Sequence, residues 1–188
     1  VSQELTPMVA TARSIKQEHP DASVVFIGPC ASKKLEASRR TVRSDVDFVI
    51  TFEELTGMFE AKGILLDEIK AMDEMKDATA AGRGYGVAGG VANAIKECIE
   101  QYYPGTPVNI QHAESLAECK KALLLAKAGK MNGCLIEGMA CPGGCIAGAG
   151  TNIAIPVAAR AVDKFKNEAE KKVPDESVDQ EMVELEKE

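Results

Sequence analysis

Two cysteines four residues apart, Cys141 and Cys145, are the residues of this sequence best suited to chemistry. Pro142, Gly143 and Gly144 separate them, a run that cannot continue a regular strand and that favours a tight turn. Such a turn can bring two thiols, and several backbone N–H groups, to one compact ligand. Thiolates are soft ligands that suit zinc and iron–sulfur clusters. Because the pair supplies only two ligands, this stretch alone is consistent with a metal site or with a structural glycine-rich turn.

A third thiol, Cys30, follows the bend-forming pair Gly28-Pro29. The continuous apolar run at 23–27 predicts a strand buried on both faces of a parallel sheet. Open α/β sheets bind ligands beyond the carboxyl ends of their strands, so Cys30 is a candidate third ligand. Lys33 and Lys34 come next, and lysines near a cysteine lower its pKa and donate to anionic ligands of a metal. The alternative is that these lysines form a solvated helix start.

The remaining cysteines and one of the two histidines are explained by structure rather than by chemistry, and the other histidine has no assigned role. Cys98 and Cys119 fall on the apolar faces of predicted helices, and Cys134 begins a predicted strand too far from Cys141 to share a ligand. His19 ends a predicted helix, where it complements the helix dipole. His112 ends a predicted strand and has no assigned role.

A second glycine-rich stretch, residues 81–90, contains Gly84-Tyr-Gly-Val-Ala-Gly89, which has the spacing of a dinucleotide-binding loop. No hydrophobic strand precedes this stretch, and no acidic residue ends a neighbouring strand at the expected distance. The context therefore argues against a bound nucleotide.

Predicted strands and helices alternate along the chain. The strands are 23–27, 46–51, 108–112 and 133–137. The helices are 6–19, 51 to about 63, 65–76, 91–103, 113–127 and 153–172. The second of these begins at a capping box at Thr51, and the fifth has an apolar stripe of Leu116, Cys119, Leu123 and Leu124. This alternation predicts an α/β fold with an about four-stranded, mainly parallel sheet flanked by helices. Cys30 and Cys141 are both expected to follow carboxyl strand ends, and so to meet at one edge of that sheet.

Composition and charge limit the classes of function. The 188 residues are 45% hydrophobic and 27% charged, which is typical of a globular protein, and no apolar run is long enough to span a membrane. A net charge of −7 disfavours nucleic acid or an anionic membrane as a partner. Six cysteines are too few for a disulfide scaffold of this length, so we expect thiol chemistry in a reducing compartment, the cytoplasm.

Three stretches together resemble signatures of the iron-only ([FeFe]) hydrogenases. Ile27-Gly-Pro-Cys-Ala-Ser-Lys-Lys-Leu-Glu-Ala37 resembles the family's M-P-C-x-x-K-K-x-E motif. Glu137-Gly-Met-Ala-Cys-Pro-Gly-Gly-Cys-Ile-Ala-Gly-Ala-Gly150 resembles E-x-M-A-C-x-x-G-C-x-x-G-x-G, and Tyr85-Gly-Val-Ala-Gly-Gly90 resembles the F-G-A-T-G-G loop. The resemblance covers most of residues 1–152. It implies one lobe of the H-cluster domain, with residues 1–172 as the C-terminal part of that domain and 173–188 as a charged tail.

The resemblance implies that this lobe helps to hold the H-cluster, a [4Fe-4S] cluster joined to a two-iron subcluster. Cys30, Cys141 and Cys145 would be three of four thiolate ligands of the [4Fe-4S] cluster, and Cys145 would also bridge to the subcluster. The implied reaction is the reversible reduction of protons to hydrogen, with electrons from a ferredoxin-like donor.

Five further residues acquire implied roles. Lys33 would hydrogen-bond a cyanide ligand of the two-iron subcluster, and Met139 and Pro29 would wall the subcluster. Tyr85 would lie near the subcluster, and Ser2 would match a serine of the proton path.

The sequence also departs from the family pattern. The family's earlier T-S-C-C-P-G-W signature, whose second cysteine is the fourth cluster ligand, has no counterpart here, Gly28 replaces a methionine, and Thr151-Asn152 replaces Q-P. We therefore expect a divergent fragment, inactive by itself, that needs the missing N-terminal part of its domain and hydrogenase maturation factors. Whether the fragment binds a cluster is open. The alternatives are a hydrogenase-like iron–sulfur sensor or assembly and carrier protein without hydrogen chemistry, and a structural zinc site.

Overall fold

The computed structural model describes residues 2, 4–39, 42, 44–70 and 78–174. The described residues form two compact units: the first comprises those up to residue 70 together with 149–152, and the second comprises 78–148 and 153–174. The first unit contains α1 (Pro7–Glu18), β1 (Val25–Ile27), α2 (Ser32–Ser38), β2 (Phe48–Ile50), α3 (Phe52–Ala61) and a 3₁₀ turn (Leu66–Glu68). The second contains α4 (Ala80–Arg83), α5 (Gly90–Tyr102), β3 (Asn109–Glu114), α6 (Leu116–Lys127), β4 (Cys134–Met139), a 3₁₀ turn (Cys145–Ala147) and α7 (Ile155–Asn167).

The first unit is built on a short parallel strand pair. β1 pairs with β2 in the register Phe26 to Val49, and both of these side chains pack against a core that includes Val9 of α1. The other face of β1 is exposed, at 44% for Val25 and 43% for Ile27. The predicted burial of this strand on both faces is therefore wrong, because in the described part of the chain only one face of β1 packs into the core.

Local signals set the helix ends of the first unit. Pro7 begins α1, and His19 is the C-terminal cap of that helix, as predicted. The Thr51 side chain accepts from the Glu54 amide at 3.2 Å, and the Glu54 carboxylate accepts from the Thr51 amide at 2.8 Å. The predicted capping box is therefore confirmed at the start of α3.

The second unit is built on a longer parallel pair, β3 and β4, which pair over six residues from Asn109 opposite Cys134 to Glu114 opposite Met139. The helix α6 packs on both strands, and Ala122 is its buried residue.

The apolar side chains of α6 do not form the predicted stripe. The Cys119 thiol approaches the carbonyl oxygens of Ala113 and Met139 at 3.5 and 3.8 Å, but the three leucines of the stripe are exposed. The side chains of α6 that are at least partly buried are those of Cys119, Ala122, Leu125 and Ala126. The exposed members of the stripe are Leu116, Leu123 and Leu124.

The predicted α/β class with parallel strands is confirmed. Among the described residues the four strands form two separate pairs rather than one sheet. Cys30 follows β1 and Cys141 follows β4, so these cysteines follow strands of different sheets. Their expected meeting at one sheet edge therefore does not follow from the sheet topology.

Two predicted segments lie partly outside the described residues. Of the predicted helix 65–76, the described part has a 3₁₀ turn at Leu66–Glu68, and residues 71–77 lie outside. Val173, the first residue of the predicted tail, is buried against Ala81 and Ala94, and residues 175–188 lie outside the described part of the chain. No helix in the described ranges combines the length and the apolar character needed to cross a membrane.

Candidate metal centre

The Cys141–Cys145 turn follows directly on the C-terminal end of β4. Gly143 and Gly144 have φ of +94° and +91°, and the Gly144 amide closes the turn onto the Cys141 carbonyl oxygen at 2.9 Å. A Cβ atom on Gly144 would lie 2.7 Å from the Gly86 carbonyl oxygen, closer than a side chain tolerates. Glycine is therefore required here both for its backbone conformation and for space.

Backbone hydrogen bonds join this turn to the second glycine-rich loop, residues 84–90. The Ala88 amide donates to the Gly143 carbonyl oxygen at 3.1 Å, and the Ile146 amide donates to the Gly86 carbonyl oxygen at 3.1 Å. The loop that matched a dinucleotide pattern is thus packed against the cysteine turn.

Several backbone amides of the turn donate hydrogen bonds to other groups of the protein. The amides of Gly144 and Ile146 donate to backbone carbonyl oxygens, and the Gly143 amide donates to the Glu114 carboxylate at 2.8 Å. The expectation that several free N–H groups would point at a ligand is therefore wrong for these three amides.

A buried carboxylate, Glu137, holds the start of α5 against β4. The Glu137 side chain is 5% exposed and accepts from the Gly89 amide at 2.7 Å and from the Ala92 amide at 3.1 Å. Its oxygen Oε2 also lies 3.0 Å from His112 Nδ1, because His112 and Glu137 are opposite each other in the β3–β4 register. A negative charge at a helix N-terminus is stabilised by the amides and the dipole there.

The other two predicted site residues of the second unit are Met139 and Tyr85. Met139 is buried at the end of β4, two residues before Cys141. Tyr85 is the second residue of the loop that contacts the cysteine turn, and it lines an apolar cavity of about 290 Å³ together with Cys98 and Ile99. Burial raises the pKa of Tyr85, and the charges of Cys98 and Glu137 raise it further. Cys98 packs against the core of this unit, which confirms its predicted structural role.

The predicted site residues of the first unit centre on an ion pair that follows Cys30. Lys33 Nζ donates to Glu36 Oε2 at 2.7 Å, and the Thr6 hydroxyl donates to Glu36 Oε1 at 2.6 Å. Partial burial raises the pKa of Glu36, but the hydrogen bonds from Lys33 and Thr6 and the lysine charge outweigh it, so the pKa lies below its ordinary value. The Ser2 hydroxyl accepts from the Glu4 amide at 3.1 Å.

The structure divides the predicted site residues between the units. All six cysteines are thiols outside disulfides. The described part of the chain contains no group of three or more histidine, cysteine, aspartate or glutamate side chains placed to hold a metal ion. The first unit carries Ser2, Pro29, Cys30 and Lys33, and the second carries Tyr85, Met139, Cys141 and Cys145.

Sequence reasoning assigned no role to Glu114, which contacts the turn, or to the buried carboxylate of Glu137, and it missed the partner of His112. A carboxylate inside an apolar strand such as residues 134–139 is itself a signal, because a buried charge needs hydrogen-bond partners. The partners could not be identified, because they depend on the strand register and on the helix packed nearby.

Comparison with solved structures identifies the fold class. A variant of the [FeFe]-hydrogenase HydA1 from Chlamydomonas reinhardtii matches with a TM-score of 0.64 and 19% identity, over 98% of this chain and 64% of that one. An [FeFe]-hydrogenase from a study of oxygen inactivation of the H cluster 2Fe subcluster matches at 0.60 and 20%, over 95% and 62%. HydA(deltaEFG), from a study of stepwise H-cluster assembly, matches at 0.58 and 19%, over 94% and 62%. The chain thus has an [FeFe]-hydrogenase fold and spans less than two thirds of the length of these relatives.

The sequence profile of the iron only hydrogenase large subunit, C-terminal domain, matches residues 1–149. The chain belongs to this family, as the resemblance of its cysteine motifs predicted. No curated protein sequence matches the chain.

Proposed function

We propose that this chain is the C-terminal part of an iron-only hydrogenase H-cluster domain, whose parent reaction is the reversible reduction of protons to hydrogen. In this proposal Cys30, Cys141 and Cys145 would hold the [4Fe-4S] cluster as three of its thiolate ligands, and Cys145 would also be the ligand shared with the two-iron subcluster. The observation that carries the proposal is the family match over residues 1–149, which includes all three cysteines.

The residues present fit the chemistry of such a cluster. Iron–sulfur clusters are held by cysteine thiolates, and these three cysteines are thiols outside disulfides. The backbone at Gly143 and Gly144 bends between Cys141 and Cys145 in a conformation that larger residues rarely adopt. When bound, the H-cluster would supply the redox chemistry, in which protons accept electrons to form hydrogen and hydrogen returns them. The chain's own residues hold it and shape its surroundings.

Residues 149–152 support a common role for the two cysteine motifs. Gly150 is five residues after Cys145, yet it belongs to the first unit. Its amide donates to the Pro29 carbonyl oxygen at 3.0 Å, and Pro29 directly precedes Cys30.

Lys33 is proposed to present a cation to an anionic ligand of the subcluster. Its ion pair with Glu36 supports this role, because the carboxylate holds the ammonium group in place. Met139 and Pro29 are proposed as wall residues, since Met139 is buried directly before the turn. Tyr85 is proposed to lie near the site, and Ser2 to belong to a proton path.

The proposal includes partners outside the chain. The rest of the domain would supply the fourth thiolate, a ferredoxin-like donor would supply electrons, and maturation factors would deliver the two-iron subcluster. The proposed compartment is the cytoplasm, with six cysteines outside disulfides as support. The 188-residue chain alone is proposed to be inactive.

Infrared spectroscopy tests this function. The chain is produced anaerobically together with the preceding part of an H-cluster domain and with maturation proteins, and spectra are recorded beside hydrogen evolution from a reduced donor. We expect bands from bound cyanide and carbon monoxide, and their loss in Cys145→Ser. A complex that binds iron without these bands would contradict hydrogenase function.

The alternative is an iron–sulfur sensor or carrier without hydrogen chemistry. Two departures from the hydrogenase pattern favour it. Gly28 stands where the family motif has methionine, and Asn152 stands where it has proline. The Asn152 side-chain nitrogen Nδ2 donates to the Phe52 carbonyl oxygen at 3.1 Å and to the Thr56 hydroxyl at 2.7 Å, so this position makes contacts that proline cannot make. The infrared experiment separates the two functions, because a carrier would bind a cluster without cyanide or carbon monoxide.

A further inference from the structure

Gly143 lies midway between the two thiols of the turn, and protein groups hold both of its backbone polar atoms. Its N–H donates to the Glu114 carboxylate at 2.8 Å, and its carbonyl oxygen accepts from the Ala88 amide at 3.1 Å. Glycine loses more backbone freedom on ordering than any other residue, and two glycines separate these thiols. The conformation of the turn therefore depends on contacts from other segments, and Glu114 makes its contact through a side chain.

Hydrogen bonds and strand pairing hold the backbone at Glu114 in place. It ends β3, opposite Met139 in the register, and its amide donates to Glu118 Oε2 at 2.8 Å. The next amide, of Ser115, donates to the Met139 carbonyl oxygen at 2.8 Å. Ser115 has a φ of +105°, a strained conformation for a residue other than glycine that surrounding contacts must hold. The strand end and the start of α6 thus aim the Glu114 carboxylate at the turn.

We propose that Glu114 is a positioning residue for Cys141 and Cys145. By holding the Gly143 amide, it fixes the turn and so the placement of the two thiols relative to each other. A second consequence, which rests on the proposed function, is that its negative charge lowers the reduction potential of a cluster bound by these thiols, because nearby charge tunes that potential.

Amide hydrogen exchange in the metal-free chain tests the positioning directly. In Glu114→Ala we expect exchange at Gly143 to rise about ten- to hundredfold relative to Ile136 of β4, since a charge-assisted hydrogen bond is lost. Glu114→Gln keeps an acceptor oxygen and should bring Gly143 back to within about threefold of the wild type. Glu100→Ala, at an exposed position of α5, is the control and should change neither amide.

The inference is overturned if Gly143 exchanges equally fast in Glu114→Ala and in the wild type. Should Glu114→Ala fail to fold, Glu114→Gln decides the matter by NMR. The Gly143 amide proton should then resonate upfield of its wild-type position, because a neutral acceptor makes a weaker hydrogen bond than a carboxylate. An unchanged resonance would also overturn the inference.

A redox titration of the iron-loaded chain tests the second consequence and separates it from the proposed function. Glu114→Gln should have a higher reduction potential than the wild type, and equal potentials would refute the electrostatic effect. If the wild type, combined with the preceding part of an H-cluster domain, takes up no iron while Gly143 is deprotected in Glu114→Ala, the proposed function fails and the positioning role stands. If the infrared bands of bound cyanide and carbon monoxide are found and Gly143 exchange is unchanged, the function stands and the positioning role fails.

Discussion

Replacement of Glu137 should strongly destabilise the second unit. Its carboxylate is almost fully buried and accepts two backbone amides, at 2.7 and 3.1 Å, with a His112 nitrogen at 3.0 Å. Alanine would leave the two amides at the start of α5 without their acceptor. Each buried donor left without an acceptor costs about 1–3 kcal/mol, so the two amides together should cost about 2–6 kcal/mol. Glu137→Gln keeps one acceptor oxygen but turns an NH₂ group towards a backbone donor, and should cost about 1–3 kcal/mol.

Urea denaturation followed by far-UV circular dichroism measures this effect, with NMR resonances of β3 and β4 identifying the transition of the second unit. The denaturation midpoint should fall while the slope m stays constant, which indicates a change in stability rather than in the unfolded state. Glu100→Ala, on the exposed side of α5, should remain within about 0.5 kcal/mol of the wild type. If Glu137→Ala lowers the free energy of unfolding by less than about 1 kcal/mol, the proposed anchoring of α5 is refuted.

Three further predictions concern the turn and the two groups with shifted pKa values. Gly144→Ala should lower the urea midpoint far more than Gly105→Ala, because both have positive φ but only Gly144 lacks space for a Cβ atom; equal effects would contradict this. The pKa of Glu36 lies below its ordinary value of 4.5, so the stability that its ionised carboxylate contributes is present above pH 4.5 and is lost as the pH falls through the folded-state pKa. Lys33→Met should raise this pKa in a ¹³C NMR titration. An unchanged pKa would contradict the assigned ion pair. Burial raises the pKa of Tyr85 above its ordinary value of 10.0, so the free energy of unfolding should fall as the pH rises above 10.0. In urea titrations at alkaline pH, Tyr85→Phe should weaken this pH dependence. An identical pH profile in Tyr85→Phe and the wild type would contradict the prediction.

Local features of the fold could be predicted from the sequence, because their causes lie within a few residues. Pro7 fixes the start of α1, and Thr51 and Glu54 satisfy each other's amides at the start of α3. The bend between Cys141 and Cys145 follows from its glycines in the same way.

Features that depend on distant segments could not be predicted. The sequence pattern indicated four strands, but it does not show that, among the described residues, β1 pairs with β2 and β3 pairs with β4. Val25 was expected to be buried because an apolar run does not reveal how many of its faces find a partner. The Glu137 hydrogen bonds to Gly89 and Ala92 join residues 48 and 45 positions apart. Only the packing of α5 against β4 brings these groups together.

The same distinction between local and distant causes applies to the residues of the candidate site. The three cysteines and Lys33 could be found from their spacing and from the family resemblance, because the motifs are local. Glu114 lies outside those motifs and contacts the turn across 29 positions of the chain. This contact depends on the β3–β4 register, which places the end of β3 beside the end of β4.

The most direct test of the central claim is iron binding by cysteine variants of this chain. The protein is reconstituted anaerobically with iron, sulfide and dithiothreitol, whose thiol can occupy the fourth ligand position, and iron content is measured with the EPR signal of the reduced cluster. The wild type and Cys134→Ser, altered at the far end of β4, should bind about four irons per chain. Cys30→Ser, Cys141→Ser and Cys145→Ser should each lose most of the iron and the signal. Unchanged iron and an unchanged EPR signal in Cys30→Ser would contradict the assignment of three thiolates to one cluster.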